Sequence, residues 1–233
     1  MTALVLQARI DSSRLHGKAL LPLAGKPMIF RVMEALNSFP CEIKVLACPD
    51  DSAAALAPLA EEAGFILITG PKEDVLKRYC NVIRMMPADR IIRATGDNPF
   101  VFSDAAIAIN AEALEMGADY AGYLGLPHGA GVESVSAEAL LRAEKEAESA
   151  EEREHVCPYL YNHPGLFQIH RPEAPLKWKA EDFRVTVDTA PDLLKAESLY
   201  AELSCLQPQE RSLGENIIAA YKRIMCRETE PKT

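Results

Sequence analysis

The chain is poor in aromatic residues: they fill 6% of its 233 positions and include a single tryptophan. It has no apolar stretch of the ~18 residues that a membrane-spanning helix needs. The N-terminal apolar run is too short for the core of a secretion signal and leads into Arg9 without a small-residue cleavage motif. The six cysteines, at 41, 48, 80, 157, 205 and 226, form no C-x-x-C pair. Neither a disulfide framework nor a zinc site is therefore expected, and the thiols are read as reduced and mostly core residues. Positive charge is also in deficit. The formal net charge of -9 is the opposite of the basic face that nucleic-acid binding uses. Two common phosphate-binding signatures are missing. Gly25-Lys26 is followed by Pro27 rather than by a residue that completes G-x-x-x-x-G-K-[ST], and Arg9-Ile-Asp-Ser-Ser-Arg14 stands where G-x-G-x-x-G would begin. No repeat, low-complexity block or linker breaks the chain, and no Ser-His-Asp order stands out. These absences point to a soluble, cytoplasmic chain with no nucleic-acid or membrane partner. Its 48% apolar content is enough for a substantial core.

What is present is concentrated in the first 27 residues, MTALVLQARIDSSRLHGKALLPLAGKP. The apolar run Ala3–Ala8 ends in a polar loop that carries Arg9, Ser12, Ser13, Arg14, Gly17 and Lys18, with Lys26 beyond it. Between Arg9 and Lys26 stand four fixed cations and one anion, Asp11. Arginine forks match phosphate oxygens two at a time, lysine adds a point charge, and hydroxyls and backbone N–H groups add neutral donors. A local basic cluster in an acidic chain reads as an anion pocket, specifically a cradle for a triphosphate. An ordinary basic surface loop has the same composition.

The first two-thirds alternates apolar runs with helical spacing. Strands are predicted at 3–8, 42–48, 65–69, 89–95 and 119–123. Helices are predicted at 28–38, 52–63 (capped by Asp50 and ended by Gly64), 73–86, and from a Ser103 or Asp104 cap to 116. Such alternation means βαβ units: an α/β fold with a mostly parallel central sheet and helices on both faces. Ligands in such sheets sit beyond the carboxyl ends of the strands. The loops 9–18 and 96–102 leave two of those ends. Further on, a short strand is expected at 132–135, one charged helix at 137–154, strands at 167–170 and 183–187, and closing helices at 192–203 and 213–226. The last seven residues read as a polar tail. One domain over 1–233 is expected, with an arm or flap at about 120–180 for substrate or dimer contacts.

Two acids stand at predicted strand ends. In Arg93-Ala-Thr-Gly-Asp97-Asn-Pro-Phe100, Gly96 permits close backbone approach. Asp97 is then a rim carboxylate suited to Mg²⁺, which takes few protein carboxylates and keeps waters and phosphates; an Asx-turn would use the same residue. In Arg184-Val-Thr-Val-Asp188-Thr-Ala-Pro-Asp192, Asp188 is a second such acid or the N-cap of the following helix. Both acids together with the basic loop describe a metal–triphosphate site.

These motifs resemble the sugar-acid cytidylyltransferases, the superfamily of CMP-Kdo and CMP-acylneuraminate synthetases. The likeness rests on Gln7-Ala-Arg-x-x-Ser-Ser-Arg-Leu-x-Gly-Lys18, Leu-Ala-Gly-Lys-Pro27, Gly-Asp97-Asn-Pro and Thr-Val-Asp188-Thr-Ala-Pro-Asp-Leu. Glu73-Asp-Val-Leu-Lys-Arg-Tyr79, Leu126-Pro-His-Gly129 with Val132-Glu133, and Arg153-Glu-His-Val-Cys-Pro-Tyr-Leu-Tyr-Asn162 resemble the spore-coat polysaccharide biosynthesis cytidylyltransferase-like subgroup. The resemblance implies a GT-A-like nucleotidyltransferase fold and Mg²⁺-dependent use of CTP; the partner substrate is expected to be a small acidic or modified sugar, and the chain to form a homodimer. Arg9, Arg14 and Lys18 would hold the triphosphate and carry the chemistry. Ala8, Ser12, Ser13, Arg93 and Asp97 would complete the nucleotide site, and Asp97 and Asp188 would hold the metal. His16 departs from the pattern, which usually has proline there.

His128 and Glu133 are candidates for sugar contact; Arg153 and His155 are candidates for contact with an anionic substrate or for a dimer surface. Loop polarity accounts for the first pair equally well, and a helix-end network is the plainer account of the second. Two other functions fit the fold. A GT-A glycosyltransferase would usually bind its metal through D-x-D, and the chain has no D-x-D. A non-catalytic nucleotide-binding partner would bind nucleotide without releasing pyrophosphate.

Overall fold

The N-terminal apolar run becomes the middle of a sheet. In β1 (Thr2–Gln7) the four central residues are buried. Ala3 and Val5 enter one apolar core, and Leu4 and Leu6 enter another on the opposite face. A strand covered on both sides carries this kind of uninterrupted apolar sequence. The computed structural model describes residues 1–229. After β1 come a small hairpin, β2 (Pro22–Leu23) and β3 (Lys26–Pro27), and then α1 (Met28–Leu36). The alternation continues through β4 (Ile43–Pro49), α2 (Ala53–Ala63), β5 (Ile66–Gly70), α3 (Val75–Met85), β6 (Arg90–Thr95) and α4 (Ser103–Glu115). The chain then forms β7 (Tyr120–Ala121), β8 (Glu133–Ser136), α5 (Ala137–Glu146), α6 (Ala150–His155), α7 (Pro158–Asn162), β9 (Ile169–His170), α8 (Ala190–Leu203) and α9 (Gly214–Thr229).

Among the described residues the sheet has seven strands in the order β5-β4-β1-β6-β8-β7-β9. The first four are parallel, and β8 is antiparallel to both β6 and β7. The fold is thus α/β with a mostly parallel sheet. Helices α3, α5 and α7 cover one face, and α1, α2 and α4 cover the other. A third core joins α8 and α9 to Phe102, Trp178 and Val187. The stretch 120–180 supplies β7, β8 and β9 to the same sheet. Because β4 and β6 flank β1 on opposite sides, the chain reverses its direction of travel across the sheet at β1. A crevice opens at the carboxyl ends of β1 and β6.

Most boundaries differ from the sequence expectation by a residue or two; five differences go further. The charged helix expected at 137–154 is two helices. It breaks at Ala147, and α6 restarts on a Ser149–Glu152 capping box. The segment 183–187 is extended but is no strand, because its hydrogen bonds go to separate loops: Val185 N–H to the His128 carbonyl and Val187 N–H to the Asp97 carbonyl. Neither Ser103 nor Asp104 caps α4. Phe102 holds the cap position, the Ser103 hydroxyl donates to the Ser212 carbonyl, and Asp104 accepts from Trp178 Nε1 and Gly214 N–H. Asp50 lies in a short 3-10 turn before α2 and caps nothing. The expected tail is helical as far as Thr229, and 230–233 lie outside the described residues.

Candidate active site

The loop after β1 turns at Gly17, whose φ of 66° lies in the left-handed region where a residue without Cβ has no strain. A 3-10 turn over Lys18–Leu20 follows and projects Lys18 into the crevice. There the Lys18 ammonium donates to Asp97 Oδ2 at 3.0 Å, to Asp188 Oδ1 at 2.9 Å and to the Val187 carbonyl at 3.0 Å. Arg14 donates to the same Asp188 Oδ1 at 2.7 Å, and Arg184 donates to Asp188 Oδ2. The cations at the head of the chain and the two acids far along it therefore share one cleft.

Asp188 is available for this contact because it does not cap α8. Thr189 holds the cap position, in a reciprocal box with Asp192, and the Asp192 carboxylate also accepts from the Asp188 N–H. The Asp188 side chain is left to face three cations, with 8% of its surface exposed. The segment before it is fastened to the other acid: Val187 N–H and the Thr186 hydroxyl both donate to the Asp97 carbonyl. Two glycines allow this close assembly. A Cβ on Gly96 would stand 2.9 Å from Ala8 Cβ and from Ile29 Cδ1, and one on Gly129, at φ +94°, would stand 2.7 Å from Thr186 N.

The cleft encloses about 430 Å³. Burial pushes the Asp97 carboxyl up, but the charge and hydrogen bond of Lys18 outweigh it, and the net shift is downward. The loop's one anion, Asp11, is engaged by Lys72, which leaves the basic residues of the loop to dominate the mouth.

Of the residues expected from sequence, Ala8, Arg9, Ser12, Ser13, Arg14, Lys18, Arg93, Asp97 and Asp188 all line this cleft, as do His128 and His155. Two others do not reach it. Glu133 stands behind Arg93, taking that guanidinium on one oxygen and the Tyr120 hydroxyl on the other. Arg153 is turned toward Asp74, the cap of α3, and donates as well to the Glu144 and Ala147 carbonyls. The helix-end account fits Arg153, because its donors are spent fixing α6 to α3.

The chain matches the family described as cytidylyltransferase over residues 3–224. It belongs to the cytidylyltransferase family. It is 32% identical over 203 residues to the spore coat polysaccharide biosynthesis protein SpsF of Bacillus subtilis, covering 84% of this chain and 85% of that one. A solved cytidylyltransferase from Leptospira borgpetersenii superposes with a TM-score of 0.84 at 20% identity, over 100% of this chain and 98% of the other. The CMP:2-keto-3-deoxy-manno-octonic acid synthetase solved with CTP gives a TM-score of 0.63 at 22% identity, over 86% of this chain and 98% of that one. Both structures show the fold.

Within this cytidylyltransferase, sequence reasoning missed Gln7, Arg78, Thr186 and Arg184. Arg78 is the most telling: it is 2% exposed and lines the cleft, and among the described residues no carboxylate forms an ion pair with it. It donates to the Pro71 carbonyl at 2.7 Å, and burial pushes its guanidinium down from the ordinary arginine value. The helix pattern gave no signal for it: Arg78 adjoins the apolar face of Leu76, Tyr79 and Ile83, but so does exposed Lys77, and tertiary packing alone buries the one and not the other. Among the described residues no helix is long and apolar enough to cross a membrane.

Proposed function

We propose that the protein transfers CMP from CTP to a hydroxyl of an acidic sugar and releases pyrophosphate, as a step in surface polysaccharide biosynthesis. The observation that carries this reading is the Lys18 ammonium held between Asp97 and Asp188, with Arg14 on the second acid. A triphosphate offers a row of anionic oxygens, and Arg9, Arg14 and Lys18 supply matching donors along one wall of the cleft. The sugar hydroxyl attacks the α-phosphorus in line as the bond to pyrophosphate breaks, and the hydroxyl proton is released to water. Little covalent work falls to the chain: it orients the two reactants and neutralises the charge that builds on the leaving group. His128 and His155 stand on the cleft wall, where polar groups can position the sugar.

The donor set suits magnesium. Two carboxylates already share one cation, and among the described residues no group of three or more acid, histidine or cysteine side chains is placed to cage a metal. Magnesium prefers this arrangement, one or two carboxylates with waters and phosphates completing its shell. When bound by Asp97 and Asp188, it supplies charge neutralisation on the phosphates. The same reading makes the protein a cytoplasmic homodimer. Pyrophosphate release tests the activity: it should require CTP, Mg²⁺ and an acidic sugar together. Release of a nucleoside diphosphate from a nucleotide sugar instead would overturn the assignment.

A further inference from the structure

Among the described residues, three buried side-chain polar atoms have no hydrogen-bond partner: Gln7 Oε1, Arg78 Nε and Arg93 Nε. All three residues line the same cleft. A buried polar atom left unpaired is costly, so native folds leave few of them. Three in one cleft describe the chemistry of something that binds there.

Their placement is set by the fold. Gln7 ends β1 and lies beside Thr95 of β6, and Val5 lies beside Arg93. With side chains alternating along each strand, Gln7 and Arg93 fall on one face of the sheet. Arg78 comes from α3, the helix packed on that face with Val5 and Tyr79. None of the three takes part in the network of Lys18, Asp97 and Asp188, so they form a second group within the cleft.

The group offers one acceptor and two donors. Cytosine presents the complement along its pairing edge: the 4-amino group donates, and N3 and O2 accept. Uracil reverses two of the three, with a carbonyl at position 4 and an N–H at position 3. We propose that Gln7 reads the 4-amino group of the base, with the Arg78 and Arg93 guanidinium groups toward N3 and O2, and that Gln7 thereby sets the preference for CTP over UTP. This deepens the proposed function and rests on it. A site built to pair a polar group rejects an analogue without that group more strongly than an apolar pocket rejects a shape, because its own buried atom stays unpaired.

The test compares kcat/KM for CTP and UTP in the wild type, Gln7→Met and Gln7→Glu, with pyrophosphate release as the readout. Methionine keeps the length and removes the acceptor, and the CTP:UTP ratio is expected to fall by about tenfold or more. Glutamate keeps an acceptor oxygen and is expected to keep the preference for CTP. A chemical probe gives an independent arm: pyrimidin-2-one riboside triphosphate is CTP without the 4-amino group. The wild type should take it about tenfold less well than CTP, whereas Gln7→Met should treat the two alike. An unchanged CTP:UTP ratio in Gln7→Met, or a wild type that accepts the analogue as well as CTP, overturns the proposal. Should Gln7→Met fail to fold, the wild-type comparison of CTP with the analogue decides. Should the wild type release no pyrophosphate from any nucleotide, the proposed activity falls. Calorimetric binding of CTP against the analogue then still decides the role of Gln7.

Discussion

The Lys18 ammonium stands 2.9 Å from Asp188 Oδ1, across 170 positions of the chain. This contact closes the cleft around its charges. Removing the ammonium leaves two carboxylates facing a common space, with Arg14 and Arg184 compensating Asp188 alone. Lys18→Met is expected to lower stability by up to about 3 kcal/mol and turnover by about 10²–10³-fold. Urea denaturation and pyrophosphate release measure the two effects separately. Added Mg²⁺ should recover part of the stability in this variant, because a metal there replaces the lost positive charge.

The division of labour between Asp188 and its neighbour can be separated by substitution. Thr189→Ala removes the cap of α8 and should cost about 1 kcal/mol of stability while turnover stays near the wild-type value. Asp188→Asn should do the reverse, with a large loss of turnover. If instead Asp188→Asn behaves as a lost cap and leaves turnover intact, Asp188 has no part in the site.

This division also shows what could be read from sequence and what could not. The apolar run of β1 and the strand–helix alternation fix the parallel half of the sheet, because both depend on local periodicity. The roles of Asp188 and Thr189 do not, since either residue can cap a helix and only the cations brought in from Arg14, Lys18 and Arg184 decide between them. The segment 183–187 alternates like a strand, yet its neighbours are two loops, so the ladder has nothing to continue on. Ala137–Glu154 has unbroken charge periodicity, and its break at Ala147 is imposed where Arg153 reaches back to the Ala147 carbonyl and across to Asp74. Gln7 reads as one more strand residue and Arg78 as a solvated helix residue. Their buried positions come from tertiary packing.

Gly129 makes a sharper demand than loop flexibility. Its φ of +94° and the 2.7 Å gap from an added Cβ to Thr186 N mean that Gly129→Ala must push the 186–188 segment away. The expected cost is about 1–3 kcal/mol, accompanied by a higher KM for CTP as Asp188 moves. Steady-state kinetics and thermal denaturation of this variant provide the check. An unchanged melting temperature and KM would show that the segment is not held as described.

The thiols give a prediction independent of the activity. Burial pushes Cys48 up to about 11 and Cys80 up to about 12 from 9.0. A rise of two units leaves about a hundredth of the ordinary thiolate at pH 8, and the thiolate is the reactive form. Cys205 and Cys226 are exposed. A thiol-specific chromogenic reagent at pH 8 should therefore modify these two quickly in the native protein, with Cys48, Cys80 and Cys157 reacting only after denaturation.

The most direct measurement is pyrophosphate release by the purified protein supplied with CTP, Mg²⁺ and an acidic sugar, set against the same assay on Asp97→Ala. A single cleft in which Lys18, Arg14, Asp97 and Asp188 grip the nucleotide predicts metal-dependent release by the wild type. It also predicts release at least about a hundredfold slower in a folded Asp97→Ala. Undiminished release by that variant would contradict the account.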